Sequence, residues 1–112
     1  MPRARPHVEP VAGGLVLTLR GELDAYDAPE LRRAFADSTA QESRVVVLDL
    51  TGVSFLDSTV LGTIVGLQRR VREADGELRV VLPESEARRV FELTGLDRAL
   101  DIRPSRDSAL PV

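Results

Sequence analysis

Apolar and polar residues alternate at the start of this chain, then apolar residues recur at helical spacing, and the two periods trade places towards the C-terminus. Residues 8–11 and 15–20 flank Ala12-Gly13-Gly14 and read as a β-hairpin. Leu15, Leu17 and Leu19 share one face of its second strand, and Val16, Thr18 and Arg20 share the other. Pro10 has no N–H to give to a ladder, which places the first strand at a sheet edge. Gly21-Glu22-Leu23-Asp24 then leads into a helix predicted over 27–38. Asp27 and Glu30 form an acidic variant of the capping box, Pro29 suits the first turn, and Leu31, Ala34, Phe35 and Ser38 make the stripe.

Residues 44–50 are apolar on both sides, as a central strand buried on two faces must be. A loop over 51–56 precedes a second helix, about 58–73, whose apolar stripe is Val60, Leu61, Ile64, Val65, Gln68 and Val71. Asp75-Gly76 closes that helix, and 78–82 reads as another strand. Pro83-Glu84-Ser85 opens a third helix with Val90, Phe91 and Leu93 facing inward and Gly95 as its stop. A short helical turn and a last extended piece fill 96–102, and the polar, Pro-flanked residues 104–112 are expected to fray as a flexible tail. The order ββαβαβα predicts an α/β fold: a mixed sheet with an N-terminal antiparallel hairpin, the remaining strands parallel, packed by about four helices. One domain is expected over 1–112, with its core at about 7–103.

Composition narrows the function. At 112 residues the chain has room for one core, and a net charge of −3 argues against a nucleic-acid partner held by phosphate contacts. No stretch has membrane-spanning length and no apolar segment follows the N-terminal arginines, so neither a membrane anchor nor a secretory signal is expected, and the expected location is cytoplasmic. With no cysteine there is no thiol chemistry, and all 15 basic residues are Arg, which excludes mechanisms that need a lysine. A phosphoacceptor receiver, suggested by Asp49 at the end of a buried strand, fails on that missing lysine and on the missing acidic pair after the first strand. A serine hydrolase fails for want of a base, because the one histidine, His7, precedes the first strand. Asp24 with Asp27 is a conceivable metal pair, but helix capping accounts for Asp27 more simply.

The informative stretch is Asp57-Ser58-Thr59-Val60-Leu61-Gly62, a short polar triplet that starts the second helix after the buried strand. Asp57 or Ser58 suits the N-cap, and a phosphate on Ser58 would lie beside free N–H groups at the positive end of the helix dipole. Phe55, Leu56, Val60 and Leu61 are candidates for apolar contact with a docking partner, or for the core.

This stretch resembles the phosphorylation motif of bacterial anti-sigma factor antagonists, the STAS-domain proteins. Gly21-Glu22-Leu23-Asp24, Val47-Leu48-Asp49-Leu50 and Phe91-Glu92-Leu93-Thr94-Gly95-Leu96 are similar to other signatures of that family, in the same order, over roughly 7–103. The resemblance implies a protein that, unphosphorylated, binds an anti-sigma factor that is itself a serine kinase and so frees a sigma factor. It makes Ser58 the phosphorylation site and Asp24, Asp57, Ser58, Thr59, Val60 and Leu61 the partner-binding residues. It implies a phosphatase that acts on phospho-Ser58, and no enzymatic activity, metal or cofactor of the chain's own. A monomer is the default. Family members usually have Gly where this chain has Val60, and a β-branched side chain there is expected to hinder the kinase or select a different one. That departure favours an alternative, a non-phosphorylated STAS scaffold or nucleotide-responsive subunit of a stress or transport complex.

Overall fold

The structure, a computed structural model, describes residues 6–39 and 44–111. Its elements are β1 (His7–Val11), β2 (Gly14–Leu23), α1 (Ala28–Thr39), β3 (Val45–Leu56), α2 (Ser58–Glu73) and β4 (Glu77–Val81), followed by α3 (Glu86–Thr94), α4 (Leu96–Ala99), β5 (Asp101–Arg103) and α5 (Arg106–Ala109). The five strands form one sheet in chain order; β1 and β2 are antiparallel and every later pair is parallel. This is the predicted mixed α/β sheet, with His7 and Pro10 on its exposed β1 edge. Gly14, where the hairpin enters β2, lies so close to β3 that an added Cβ would stand 2.4 Å from the Val45 carbonyl oxygen.

Each crossover steps one strand in the same direction, and right-handed crossovers that do so put their helices on one face. Leu15, Leu17, Leu19, Val46, Leu48, Leu50, Leu78 and Val80 point to that face. They pack against Leu31 and Phe35 of α1, Ile64 and Leu67 of α2, and Phe91 of α3. Ser85 caps α3 through the Arg88 N–H, and Gly95 ends it in the left-handed region at φ 77°, where glycine carries no Cβ penalty.

Three expectations need correction. β2 and β3 run on to Leu23 and Leu56, through what the sequence pattern marks as loops. Between Asp49 and Gly52, and again at Ser54, β3 carries one residue more than β2, and these bulges break the alternation that a strand is recognised by. Leu93 is 76% exposed, because two residues along a helix is about 200° around it from the buried Phe91.

The third correction is the tail. One-sided crossovers leave Val16, Val45, Val47 and Val81 bare on the opposite face, and the segment expected to fray covers them: α5 buries Ala109 there, with Val11 and Leu110 packed alongside. Ser105 and Ser108 cap this one turn reciprocally, and Arg79 donates to the Ala109 and Leu110 carbonyls at 3.0 and 3.3 Å. Arg106 reaches across the sheet, donating to Asp49 Oδ2 through Nη2 at 3.0 Å and Nε at 3.2 Å, and to Thr18 Oγ1 at 3.1 Å. The other Asp49 oxygen accepts from the Thr51 N–H at 3.0 Å and hydroxyl at 2.6 Å.

Burial opposes the charge on Asp49, but the Thr51 and Arg106 donors outweigh it and hold its carboxyl below the usual value of 3.8. A depressed carboxyl stabilises the fold above its unfolded pKa, and that contribution is lost as the pH falls through the lower, folded value. Arg106→Ala is therefore expected to cost roughly 1–2 kcal/mol at neutral pH in urea denaturation, since the pair is partly screened. The deficit shrinks below pH 3.8 as Asp49 protonates.

Candidate functional site

The C-terminal ends of β2 and β3 bring the predicted residues together. Leu23 pairs with Leu56 at the last rung, and both are buried. One residue later Asp57 is extended (φ −99°, ψ 179°), so its backbone leaves the sheet while its carboxylate turns onto the helix that follows. Oδ1 accepts from the Val60 N–H at 3.0 Å, the N-cap bond of α2. Oδ2 accepts from the Ala25 N–H at 3.0 Å, across 32 residues of sequence. The Asp57 N–H itself donates to the Leu23 carbonyl at 3.2 Å. One side chain thus caps the helix and ties it to the turn that ends β2.

That turn, residues 24–27, is braced from within. Asp24 Oδ1 accepts from the Tyr26 N–H at 2.9 Å, Asp27 Oδ2 accepts from the Asp24 N–H at 2.8 Å, and the Asp27 N–H donates to the Asp24 carbonyl at 2.9 Å. Asp24 and Asp27 are accordingly engaged with backbone. Among the described residues no group of three or more His, Cys, Asp or Glu side chains is placed to hold a metal.

Ser58 and Thr59 occupy the first two positions of α2 and both are exposed. The first N–H groups of a helix have no intrahelical acceptor, so the Ser58 hydroxyl stands where donors and the positive dipole end face solvent. Asp57, which precedes Ser58, and Asp24, in the turn that Asp57 bonds, are both half-buried. Val60 is fully buried and Leu61 is 7% exposed, both in the main core with Leu56. Of the four apolar residues considered for docking, only Phe55 shows its side chain, 51% exposed beyond the bulge at Ser54. The expectation that Val60 contacts a partner or crowds the acceptor is thereby corrected: its side chain points away from the surface that carries Ser58.

Two features were not singled out in the sequence. A shallow groove between α1 and α2 is lined by Arg32, Phe35, Thr59, Gly62, Gly66 and Arg70. Tyr26, 90% exposed, crowns the braced turn. The signal for Tyr26 was present: the one tyrosine of the chain falls between Asp24 and Asp27, off the apolar stripe of α1.

A family model of the STAS domain matches residues 4–109. The chain belongs to the STAS family. Its STAS domain is 39% identical over 83 residues to the anti-sigma-B factor antagonist of Listeria monocytogenes, covering 74% of this chain and 73% of the relative. The anti-sigma-B factor antagonist of Staphylococcus aureus is 37% identical over 76 residues, covering 68% of this chain and 70% of that one. Among solved structures, an anti-sigma factor antagonist from Mycobacterium paratuberculosis superposes with a TM-score of 0.87 at 31% identity, covering 95% of this chain and 90% of that one.

The double role of Asp57 makes it the residue whose loss this STAS domain feels most at the site. Asp57→Ala removes the cap and the tie to Ala25, and is expected to cost about 2 kcal/mol in denaturant unfolding. Asp57→Ser keeps a cap without the second bond and should fall between the two.

Proposed function

We propose that this STAS domain is an anti-sigma factor antagonist. With Ser58 unmodified it binds an anti-sigma factor that is a serine kinase, and a sigma factor is released. Phosphorylation of Ser58 by that kinase ends the contact, and a phosphatase restores it. The domain acts in the cytoplasm as a monomer, without a cofactor and without catalysis of its own. Among the described residues no helix is long and apolar enough to cross a membrane. The names of the relatives support the antagonist role.

The observation that carries the switch is the position of Ser58, exposed at the start of α2 on a frame fixed by Asp57. Phosphorylation adds about −1.5 to −2 charges beside two carboxylates, those of Asp57 and Asp24. Within a packed contact an uncompensated charge costs about 3–5 kcal/mol, and taking binding from nearly full to nearly absent needs about 5.5 kcal/mol. One phosphate plus the neighbouring carboxylates is of that order. Val60, the departure that favoured a scaffold without phosphorylation, is buried in the core, so its side chain is not part of the exposed surface at Ser58.

Intact-mass measurement after incubation with ATP and each serine-kinase anti-sigma factor of the source organism tests this. A gain of one phosphate in the wild type and none in Ser58→Ala is expected. Ser58→Ala should bind the kinase constitutively and Ser58→Asp poorly; a Ser58→Asp affinity equal to that of the wild type would contradict the switch. Val60→Gly should be phosphorylated at the wild-type rate while losing about 2–4 kcal/mol of stability, because it empties a core position and puts glycine in a helix.

A further inference from the structure

Tyr26 is built as a presented side chain. Tyr26 is 90% exposed, yet the turn beneath it is held by hydrogen bonds in which the Ala25 N–H donates to Asp57, the Tyr26 N–H to Asp24, the Asp24 N–H to Asp27, and the Asp27 and Ala28 N–H groups to the Asp24 and Ala25 carbonyls. An aromatic side chain in water stabilises nothing within the chain. A turn fixed in advance, however, removes much of the ordering cost of inserting that side chain into a second protein. Buried tyrosines are enriched among the few residues that dominate interface energies, because they combine a large apolar face, a polar tip and only two rotatable bonds.

The surroundings state what the second protein looks like. Glu22 is exposed and Asp24 and Asp57 are half-buried at this turn, while Asp27 is buried and Glu30 lies 3.9 Å from Arg33, so Glu22, Asp24 and Asp57 supply the negative charge around Tyr26. A large apolar ring face beside those carboxylates is complementary to an apolar pocket with a basic rim.

We infer that Tyr26 is the anchor by which this domain docks on its kinase partner, its ring filling an apolar pocket of the kinase whose rim carries Arg or Lys. The inference rests on the antagonist reading above and adds to it the residue that selects the partner. The Ala25–Asp57 bond ties the residue before Tyr26 to the residue before Ser58, so the grip and the hydroxyl belong to one frame. Affinity comes from the ring and regulation from the hydroxyl next to it. Basic groups on the pocket rim answer Glu22 and Asp24, while Ser58 lies in the closely packed part of the contact, where a phosphate has to shed its water.

The test measures binding kinetics of the wild type, Tyr26→Ala, Tyr26→Phe and Glu22→Lys against each purified serine-kinase anti-sigma factor of the source organism. The ring supports nothing internally, so Tyr26→Ala should melt at the wild-type temperature. Its affinity is expected to fall at least ~30-fold, mostly through faster dissociation, while Tyr26→Phe stays within about threefold. Glu22→Lys is expected to slow association roughly 3–10-fold at low salt with little change in dissociation. A kinase that binds wild type and Tyr26→Ala equally would overturn the anchor and leave the antagonist reading in place. Equal losses in Tyr26→Phe and Tyr26→Ala would overturn the apolar pocket. If no kinase binds or phosphorylates the wild type, the antagonist reading falls and the anchor falls with it.

Discussion

One carboxylate holds the functional end of this molecule together. Asp57 follows the last residue of the central strand, and its two oxygens take one N–H from the helix ahead and one from a turn 32 residues earlier. With one bond exposed and the other half-buried, the pair contributes about 2 kcal/mol, enough to fix both segments against the sheet. The direction of Ser58, the exposure of Thr59, the rigidity of the turn at Asp24 and the projection of Tyr26 all follow from that bridge. The bulges that lengthen β3 serve the same end, because the extra residue at Ser54 returns Leu56 to the core and delivers Asp57 to the rim of the sheet.

The frame also sorts the consequences of phosphorylation by size. A helix N-terminus favours an anion by roughly 0.3–1 kcal/mol at an exposed position, so the fold accepts a phosphate on Ser58 with little disturbance. The same phosphate in a packed contact costs several times as much. In the switch proposed for Ser58 that cost would fall at the interface, so the modification would break the complex and spare the domain. A second stabilising device lies on the opposite face, where Arg106 and Asp49 hold α5 over the valines that one-sided crossovers leave uncovered. It is separated from Ser58 by the whole sheet.

Much of this was legible in the sequence because local rules and the global fold agree. The hairpin at Ala12-Gly13-Gly14, the two-face run of β3 from Val45 to Leu50, α2 from Ser58 to Glu73 and the stop at Gly95 each have a chemical signature and stand where it pointed. The site residues Asp24, Asp57, Ser58 and Thr59 do converge, with Asp57 as the N-cap. What was hidden depends on tertiary context. The second half of β3 lost its alternation to bulges, and α5 is a polar turn that folds only because Val16, Val45, Val47 and Val81 need cover. Whether Val60, on the predicted apolar stripe of α2, faces the core or a docking partner is decided only by the packing, which buries it. The cross-chain bond from Asp57 to Ala25 has no local signature at all.

Amide hydrogen exchange of the phosphorylated and unphosphorylated domain, read at Ala25 and Val60, separates a frame that stays fixed from one that lets go. These two N–H groups report the Asp57 bridge, and equal protection in both forms is expected while partner binding is lost. Faster exchange at either amide on phosphorylation would contradict a fixed frame, because the switch would then act by releasing the bridge and not by placing a charge on it.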